Sequence, residues 1–441
     1  MRIVMFTVTL SSMSVLMFNY VLPEVSKEFH LTIAHVSWLS SAYGLIYAIG
    51  TVTYGKLADR YKLKNLLTFG LIVFTIGSLI GFVSQTFWMA LVGRCLQAVG
   101  AAAIPATAVL IPVRYFAPER RGKALGMMAV GLALGSALSP IISALIVSVA
   151  HWRWLFAVSL LILITLPFYR KYLEDEPQGL TRKFDWIGGS LLAATVALLL
   201  LGVTNGTRWF IISGLLTLGL FIVRIRLVDE PFVRPELFIN KRYTLGLTIA
   251  FLINGIGTSL YLLSPLLLSH VQQLPASWIG FAMVPAATAS AILGRKGGKL
   301  ADLKGNSYLF FIASGLLLTC FVLLSTFTGS SSLFIATFLI LGNVGQSFML
   351  IAISNSISQT LPKNQAGVGM GMLQMLNFIS QAVATGIYSK VVDLGSNVHW
   401  NPVNIPPNGF IYSNIYFVLA GLHLIILLVY YFQFSRGKGV V

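Results

Sequence analysis

An all-α, polytopic membrane protein is what the sequence predicts, on three observations. Of its 441 residues 56% are apolar and only 10% charged, where a soluble domain carries roughly 25% charged residues, and the mean hydropathy is +0.84. Apolar runs of about 20 residues recur along the whole chain, each long enough to cross a hydrocarbon core of roughly 30 Å. The runs are continuous rather than alternating, which excludes a closed β-barrel.

Fourteen spans follow in order, over residues 3–22, 37–57, 66–84, 88–113, 124–149, 152–169, 186–203, 209–227, 243–269, 278–294, 307–328, 332–358, 366–390 and 411–434. The first is too long for a signal-peptide core, lacks a small-x-small cleavage site and runs on into Leu22-Pro23, so it is a spanning helix. The second carries Tyr43 and Tyr47 and ends in a basic loop. The fourth holds Arg94, and the fifth and sixth are divided only by a short connection around His151. The last follows a long loop at about residues 392–410. Cys95 and Cys320 both fall inside spans without Cys-x-x-Cys spacing, so they read as buried small residues; no metal and no cofactor is expected.

The formal charge of +17 suggests nucleic acid in a soluble chain, but here the loops sort it. With the N-terminus inside, twenty-five of the 30 Lys and Arg fall in cytoplasmic loops and four outside, and Arg94 alone lies within a span. That is the positive-inside bias, with both termini cytoplasmic, and it makes a nucleic-acid partner unnecessary.

The pentapeptide GKLAD occurs at Gly55 to Asp59 and again at Gly298 to Asp302, each at the cytoplasmic end of a span and with an even number of spans between them. A repeat with that spacing points to two parallel halves related by an axis along the membrane normal. Gly55-Lys56-Leu57-Ala58-Asp59-Arg60 resembles the loop between helices two and three of the major facilitator superfamily, departing from it at Lys62, where Gly is usual. Arg94-Cys95-Leu96-Gln97-Ala98-Val99-Gly100 resembles that family's fourth-span motif. The spans 186–227 added between the halves match its fourteen-helix drug:proton antiporters, and Asp229-Glu230-Pro231-Phe232-Val233 matches the Gram-positive tetracycline-efflux branch.

The resemblance implies a major-facilitator fold of 6+2+6 helices, with an N-terminal half over 1–170, a linker with two extra spans over 171–242 and a C-terminal half over 243–441. It implies a cytoplasmic gate at Gly55, Asp59, Arg60 and Asp302, and a fifth-helix hinge at Gly131, Gly135 and Pro140. Ser136 stands where the branch has an acid, and Ser139 and Ser143 stand where it has Gly. It also implies a small-molecule substrate, exported by a monomer in a bacterial plasma membrane.

All 13 acids can be placed in loops or at helix ends, so no span carries a central carboxylate. A proton-coupled carrier needs a group that changes protonation as its access alternates. Glu24, Asp59, Asp302 and His423 are the candidate proton-coupling groups, His423 being the histidine well inside a span.

A substrate path is expected along Asn19, Tyr43, Tyr47, Arg94, Gln97, Asn254, Tyr261, Asn343, Gln346, Gln374, Asn377 and Gln381. Amides, aromatics and one cation suit a neutral, zwitterionic or partly anionic amphiphile. Each of these residues fits a helix-to-helix hydrogen bond equally well, and Arg94 also fits snorkelling to the nearby outer interface. The leading expectation is drug or tetracycline-like efflux by proton antiport; the alternative is export or facilitation of a metabolite without obligatory coupling. A membrane-embedded enzyme is disfavoured by the absence of HExxH, GxSxG and P-loop motifs, and a receptor by the lack of any loop large enough for a sensory domain.

Overall fold

The structure is a computed structural model that describes residues 1–58, 61–115, 118–173, 185–361, 366–395, 400–402 and 409–432. Every regular element among the described residues is helical, and the chain divides into two compact units, Met1–Glu236 and Leu237–Val441.

The first unit holds α1 (Arg2–Leu16), which tightens into a 3-10 turn over Met17–Tyr20, then α2 (Leu22–Phe29), α3 (Ile33–Val36), α4 (Trp38–Leu57), α5 (Leu63–Phe82) and α6 (Phe87–Ala101). It continues through α7 (Ala103–Tyr115), α8 (Pro118–Val149), α9 (Trp154–Ser159), a 3-10 stretch over Leu160–Thr165, α10 (Leu166–Tyr172), α11 (Trp186–Asn205) and α12 (Arg208–Leu227). The second unit, after a short 3-10 turn at Pro235–Ile239, holds α13 (Lys241–His270), α14 (Ala276–Lys304), α15 (Asn306–Thr326), α16 (Ser332–Ser358), α17 (Ala366–Leu394) and α18 (Phe410–Tyr430).

Twelve helical stretches among the described residues are long and apolar enough to cross a membrane. Fourteen were expected. The difference lies in α4 and α17, of 20 and 29 residues, which have the length but are diluted by Ser, Thr, Gly, Tyr and amide side chains. The expected span 88–113 is interrupted at Ala102. The second GKLAD copy is not in a loop: Gly298 to Asp302 lie within α14, whose helix continues to Lys304 and stops at Gly305, φ +89°.

In the first unit α1 and α8 run parallel in strict register. Cβ atoms built on Gly131 and Gly135 would stand 2.7 and 2.4 Å from the carbonyl oxygens of Met5 and Thr9. One and two turns on, the Ser139 hydroxyl donates to Met13 O at 3.4 Å and the Ser143 hydroxyl to Met17 O at 3.2 Å. Four small residues at four-residue spacing therefore bring two backbones together, as in small-xxx-small packing. α8 remains one helix through Pro140.

The second unit pairs α13 with α17 in the same parallel sense, through side-chain hydrogen bonds to main-chain oxygens. Tyr243 donates to Gly369 O at 2.8 Å, Asn254 Nδ2 to Asn377 O at 2.5 Å, Ser380 to Phe251 O at 2.5 Å and Tyr388 to Gly255 O at 2.9 Å.

Candidate substrate path

In the first unit the polar residues gather on α6. Thr86 caps that helix, accepting from Met89 N at 3.3 Å, and its buried face carries Arg94 and Gln97 one turn apart. Arg94 is 0% exposed, the one fully buried Lys or Arg among the described residues. Its Nε donates to Leu39 O at 3.2 Å, and its Nη1 to Ser14 O at 3.2 Å, Ser14 Oγ at 3.4 Å and Gln97 Oε1 at 2.9 Å. The guanidinium faces the rings of Tyr43 and Phe18, with its central carbon 3.9 and 4.2 Å from their centroids.

All of these acceptors are neutral, and Nη2 has no partner. A flat cation is therefore held between α1, α4 and α6 by dipoles and π-faces, with one donor group uncommitted. Gln97 extends the network to α5, donating to Ser78 Oγ at 2.7 Å, which in turn donates to Phe74 O. Asn19, buried in the 3-10 turn, accepts from Ser40 at 2.5 Å and so ties the end of α1 to α4. Tyr47 stacks on Tyr43 at 5.9 Å. The burial of Arg94 rules out snorkelling in this conformation.

Sequence reasoning found Arg94, Gln97, Asn19 and Tyr43 and missed Ser14, Phe18, Ser78 and the Leu39 carbonyl. Two of the four Arg94 acceptor atoms are main-chain oxygens, which have no residue signature.

The second unit holds no buried Lys or Arg among its described residues, and the expected path residues there are amides and Tyr261. Besides its bond to Asn254, Asn377 donates from Nδ2 to Gln374 at 3.3 Å and leaves Oδ1 without a partner. Gln346, 2% exposed, fills the space over Gly257, where a Cβ would lie 2.2 Å from its amide carbon, and its Oε1 is also unpartnered. Asn343 donates back to Leu339 O one turn earlier, an intrahelical bond. Tyr261 and Gln381 are half-buried.

The candidate titrating groups are scattered. Asp59 and Arg60 lie outside the described residues. Gly55 has open space where a Cβ would stand, so packing does not require glycine there. Asp302 is exposed and lines a cavity of about 910 Å³ with Arg242, Asn306, Asn355 and Gln359. Glu24, beyond the first span, is half-buried with Oε2 unpartnered; burial, then the neighbouring Glu28, push its pKa above the usual carboxylate range against the pull of Lys27. His423 is 0% exposed, its ring 6.4 Å from that of Phe321, and neither ring nitrogen has a partner. Among the described residues no three His, Cys, Asp or Glu converge as a metal set.

The family model of the Major Facilitator Superfamily matches residues 4–385. Among curated relatives, multidrug resistance protein 3 of Bacillus subtilis is 26% identical over 380 residues, 83% of this chain and 74% of that protein. Lincomycin resistance protein LmrB of Listeria monocytogenes is 27% identical over 86% of this chain and 83% of that protein, and the riboflavin transporter RibZ of Clostridioides difficile 24% over 84% and 83%. Among solved structures, a POT family transporter in complex with 5-aminolevulinic acid superposes with a TM-score of 0.73 over 99% of this chain and 96% of that one, at 14% identity, a likeness of fold alone.

Proposed function

The chain belongs to the major facilitator superfamily and is a multi-pass secondary transporter of a small molecule, not an enzyme, and from that premise we propose that it exports amphiphilic compounds by rocker-switch alternating access. The observation that carries this reading is the Arg94 site: a buried guanidinium with neutral acceptors and one uncommitted donor group. In the first unit a cation beside π-faces, and in the second unit amide acceptors at Gln346 and Asn377, each suit a neutral, zwitterionic or partly anionic amphiphile. A lipophilic cation meets no carboxylate there. Multidrug and lincomycin resistance among the relatives support drug efflux more broadly than the tetracycline branch does.

The topology we adopt has fourteen spans in a 6+2+6 order, with α4 and α17 crossing despite their polarity, both termini cytoplasmic and the monomer in a bacterial plasma membrane. Polar spans belong where they face a wet path instead of lipid. Gly55, Asp59, Arg60 and Asp302 form the cytoplasmic gate, and Gly131, Gly135 and Pro140 the bending seam of the fifth span. Proton antiport drives the cycle, with Glu24 the foremost coupling group because burial already favours its neutral form; Asp59, Asp302 and His423 are the others.

A second reading, export of a metabolite without obligatory proton coupling, is favoured by one specific observation: no described Asp or Glu lies at the centre of a span. Everted vesicles loaded in turn with tetracycline, lincomycin, ethidium and riboflavin, with and without a protonophore, separate the two. Gradient-dependent uptake of lincomycin or tetracycline supports drug:proton antiport. Equal uptake of any compound with the gradient collapsed removes the coupling, and uptake of riboflavin alone removes the drug reading.

A further inference from the structure

The two added helices of the first unit end on a cluster that substrate binding does not use. Asp185 caps α11: its Oδ1 accepts from Gly188 N at 3.0 Å and from Arg224 Nε, at the far end of α12, at 3.1 Å. Its Oδ2 accepts from Phe232 N at 3.2 Å. One carboxylate with no exposed side-chain surface therefore joins the start of the hairpin, its end and the segment that leaves it. Burial alone would raise the Asp185 pKa; the two backbone donors and the guanidinium more than reverse it, so the group stays ionised.

Phe232 is 4% exposed and its ring lies on Gly189, where a Cβ would come within 3.1 Å of it. Lys56, in the last turn of α4, covers the same segment: Nζ donates to Pro231 O at 3.1 Å and stands 5.5 Å from the centroid of the Phe232 ring. Lys56 is the second residue of the first GKLAD copy, and Ala58 beside it is 2% exposed. In the other copy the equivalent Lys299 is exposed on α14.

We propose that Asp185, Phe232 and Lys56 form a clasp that fastens the α11–α12 hairpin to the gate-bearing end of α4, which makes them positioning residues for the gate loop. The gate role of that loop rests on the reading given above. A ring seated between a glycine and an ammonium stem has one docked geometry, and an ionised carboxylate with three donors fixes both ends of the hairpin to it. Releasing either contact frees the end of α4 from the hairpin, and the first GKLAD copy then opens more often while the second does not.

The test uses the full chain in proteoliposomes, in a Cys95→Ser, Cys320→Ala background, with a single reporter at Ala58→Cys or at Ala301→Cys, its buried counterpart in the other copy. The readout is the rate of modification by a membrane-impermeant maleimide, which needs no knowledge of the transported compound. Phe232→Ala and Asp185→Ala are expected to speed labelling at Ala58→Cys at least about fivefold and to leave Ala301→Cys within about twofold, as a local opening does. Phe232→Leu restores the slow rate. Should either alanine variant fail to insert, Lys56→Met carries the test, since it keeps the apolar stem and removes only the donor and the charge. Unchanged labelling at Ala58→Cys overturns the proposal, and so does equal acceleration at both reporters. If Asp59→Asn leaves transport unaltered, the gate reading falls while the labelling result stands on its own.

Discussion

The two units build the same parallel helix pair from different chemistry. In the first, α1 and α8 meet through Gly131, Gly135, Ser139 and Ser143, so that main chains nearly touch. In the second, α13 and α17 meet through side-chain hydrogen bonds from Tyr243, Asn254, Ser380 and Tyr388 to main-chain oxygens. Both solutions satisfy buried polar atoms inside a membrane, where no water replaces a lost partner. They differ in what remains for a ligand. The first unit, closed at its seam, concentrates a charge at Arg94, while the second leaves amide oxygens at Gln346 and Asn377 without donors.

The largest effect is expected at the cation. Arg94→Met should reduce transport of any accepted compound at least about tenfold while leaving membrane levels intact, because removing a guanidinium from within a span relieves an insertion cost of up to about 2.5–3.5 kcal/mol. Arg94→Lys should lose nearly as much, since a point charge cannot reach Leu39 O, Ser14 and Gln97 in one plane. Full transport by Arg94→Met, at equal membrane levels in everted vesicles, would make the charge purely structural and remove the contrast.

Next comes the seam itself. Gly135→Ala drives a methyl onto the Thr9 carbonyl and should destabilise by about 1–3 kcal/mol. Gly371→Ala in α17, which meets nothing within 4 Å, should leave the thermal midpoint unmoved. A size-exclusion thermal ramp on both variants decides whether the close approach at Gly135 requires glycine; an unmoved midpoint for Gly135→Ala would overturn it.

A smaller loss is expected in the second seam. Asn254→Leu strands the Asn377 carbonyl, and an interhelical hydrogen bond in a membrane protein contributes about 0.6 kcal/mol, rarely more than about 1.7. A drop as large as that of Gly135→Ala would erase the distinction between the seams.

The smallest concerns the end of the first unit away from the GKLAD copy, where Glu28 accepts from Trp152 Nε1 at 2.5 Å and pairs with Arg153 at 2.8 Å and His151 at 3.1 Å. Burial alone would raise the Glu28 pKa, but these donors and the nearby cations hold it below 4.5. A depressed carboxylate stabilises the fold above its unfolded pKa and loses that contribution as pH falls through the folded one. The cluster should therefore hold at neutral pH and weaken below about pH 4, by about 0.2–1 kcal/mol given its partial exposure. Glu28→Gln should lower the thermal midpoint at pH 7 and flatten its change between pH 7 and pH 3.5; a wild-type change retained in the variant would assign it elsewhere.

Much of the fold was legible because a spanning helix is written as length and apolarity. α4 and α17 illustrate the converse: their Tyr, Ser and amide content lowers their hydropathy below that of the other long helices. Arg94 stood out because a guanidinium in an apolar run has few innocent explanations. Its surroundings were not legible, since Leu39 O and Ser14 O are main-chain atoms that any residue supplies. The expected span 278–294 stops short of the second GKLAD copy, yet α14 runs on through it, because nothing before Gly305 breaks the helix.

By itself, the sequence determined that the chain is a helical, multi-pass membrane protein, because hydrocarbon thickness, backbone hydrogen bonding and loop charge are local constraints on composition, while transport came from its resemblance to a family. Only the tertiary structure decided that α1 meets α8 at four-residue register, that Arg94 is held without an acid, and that the segment leaving the α11–α12 hairpin packs on α4 through Lys56 and Phe232. Those facts depend on which surfaces meet between elements distant in the chain, and helix-to-helix contact in lipid rests on shape and paired polar atoms that no local pattern encodes.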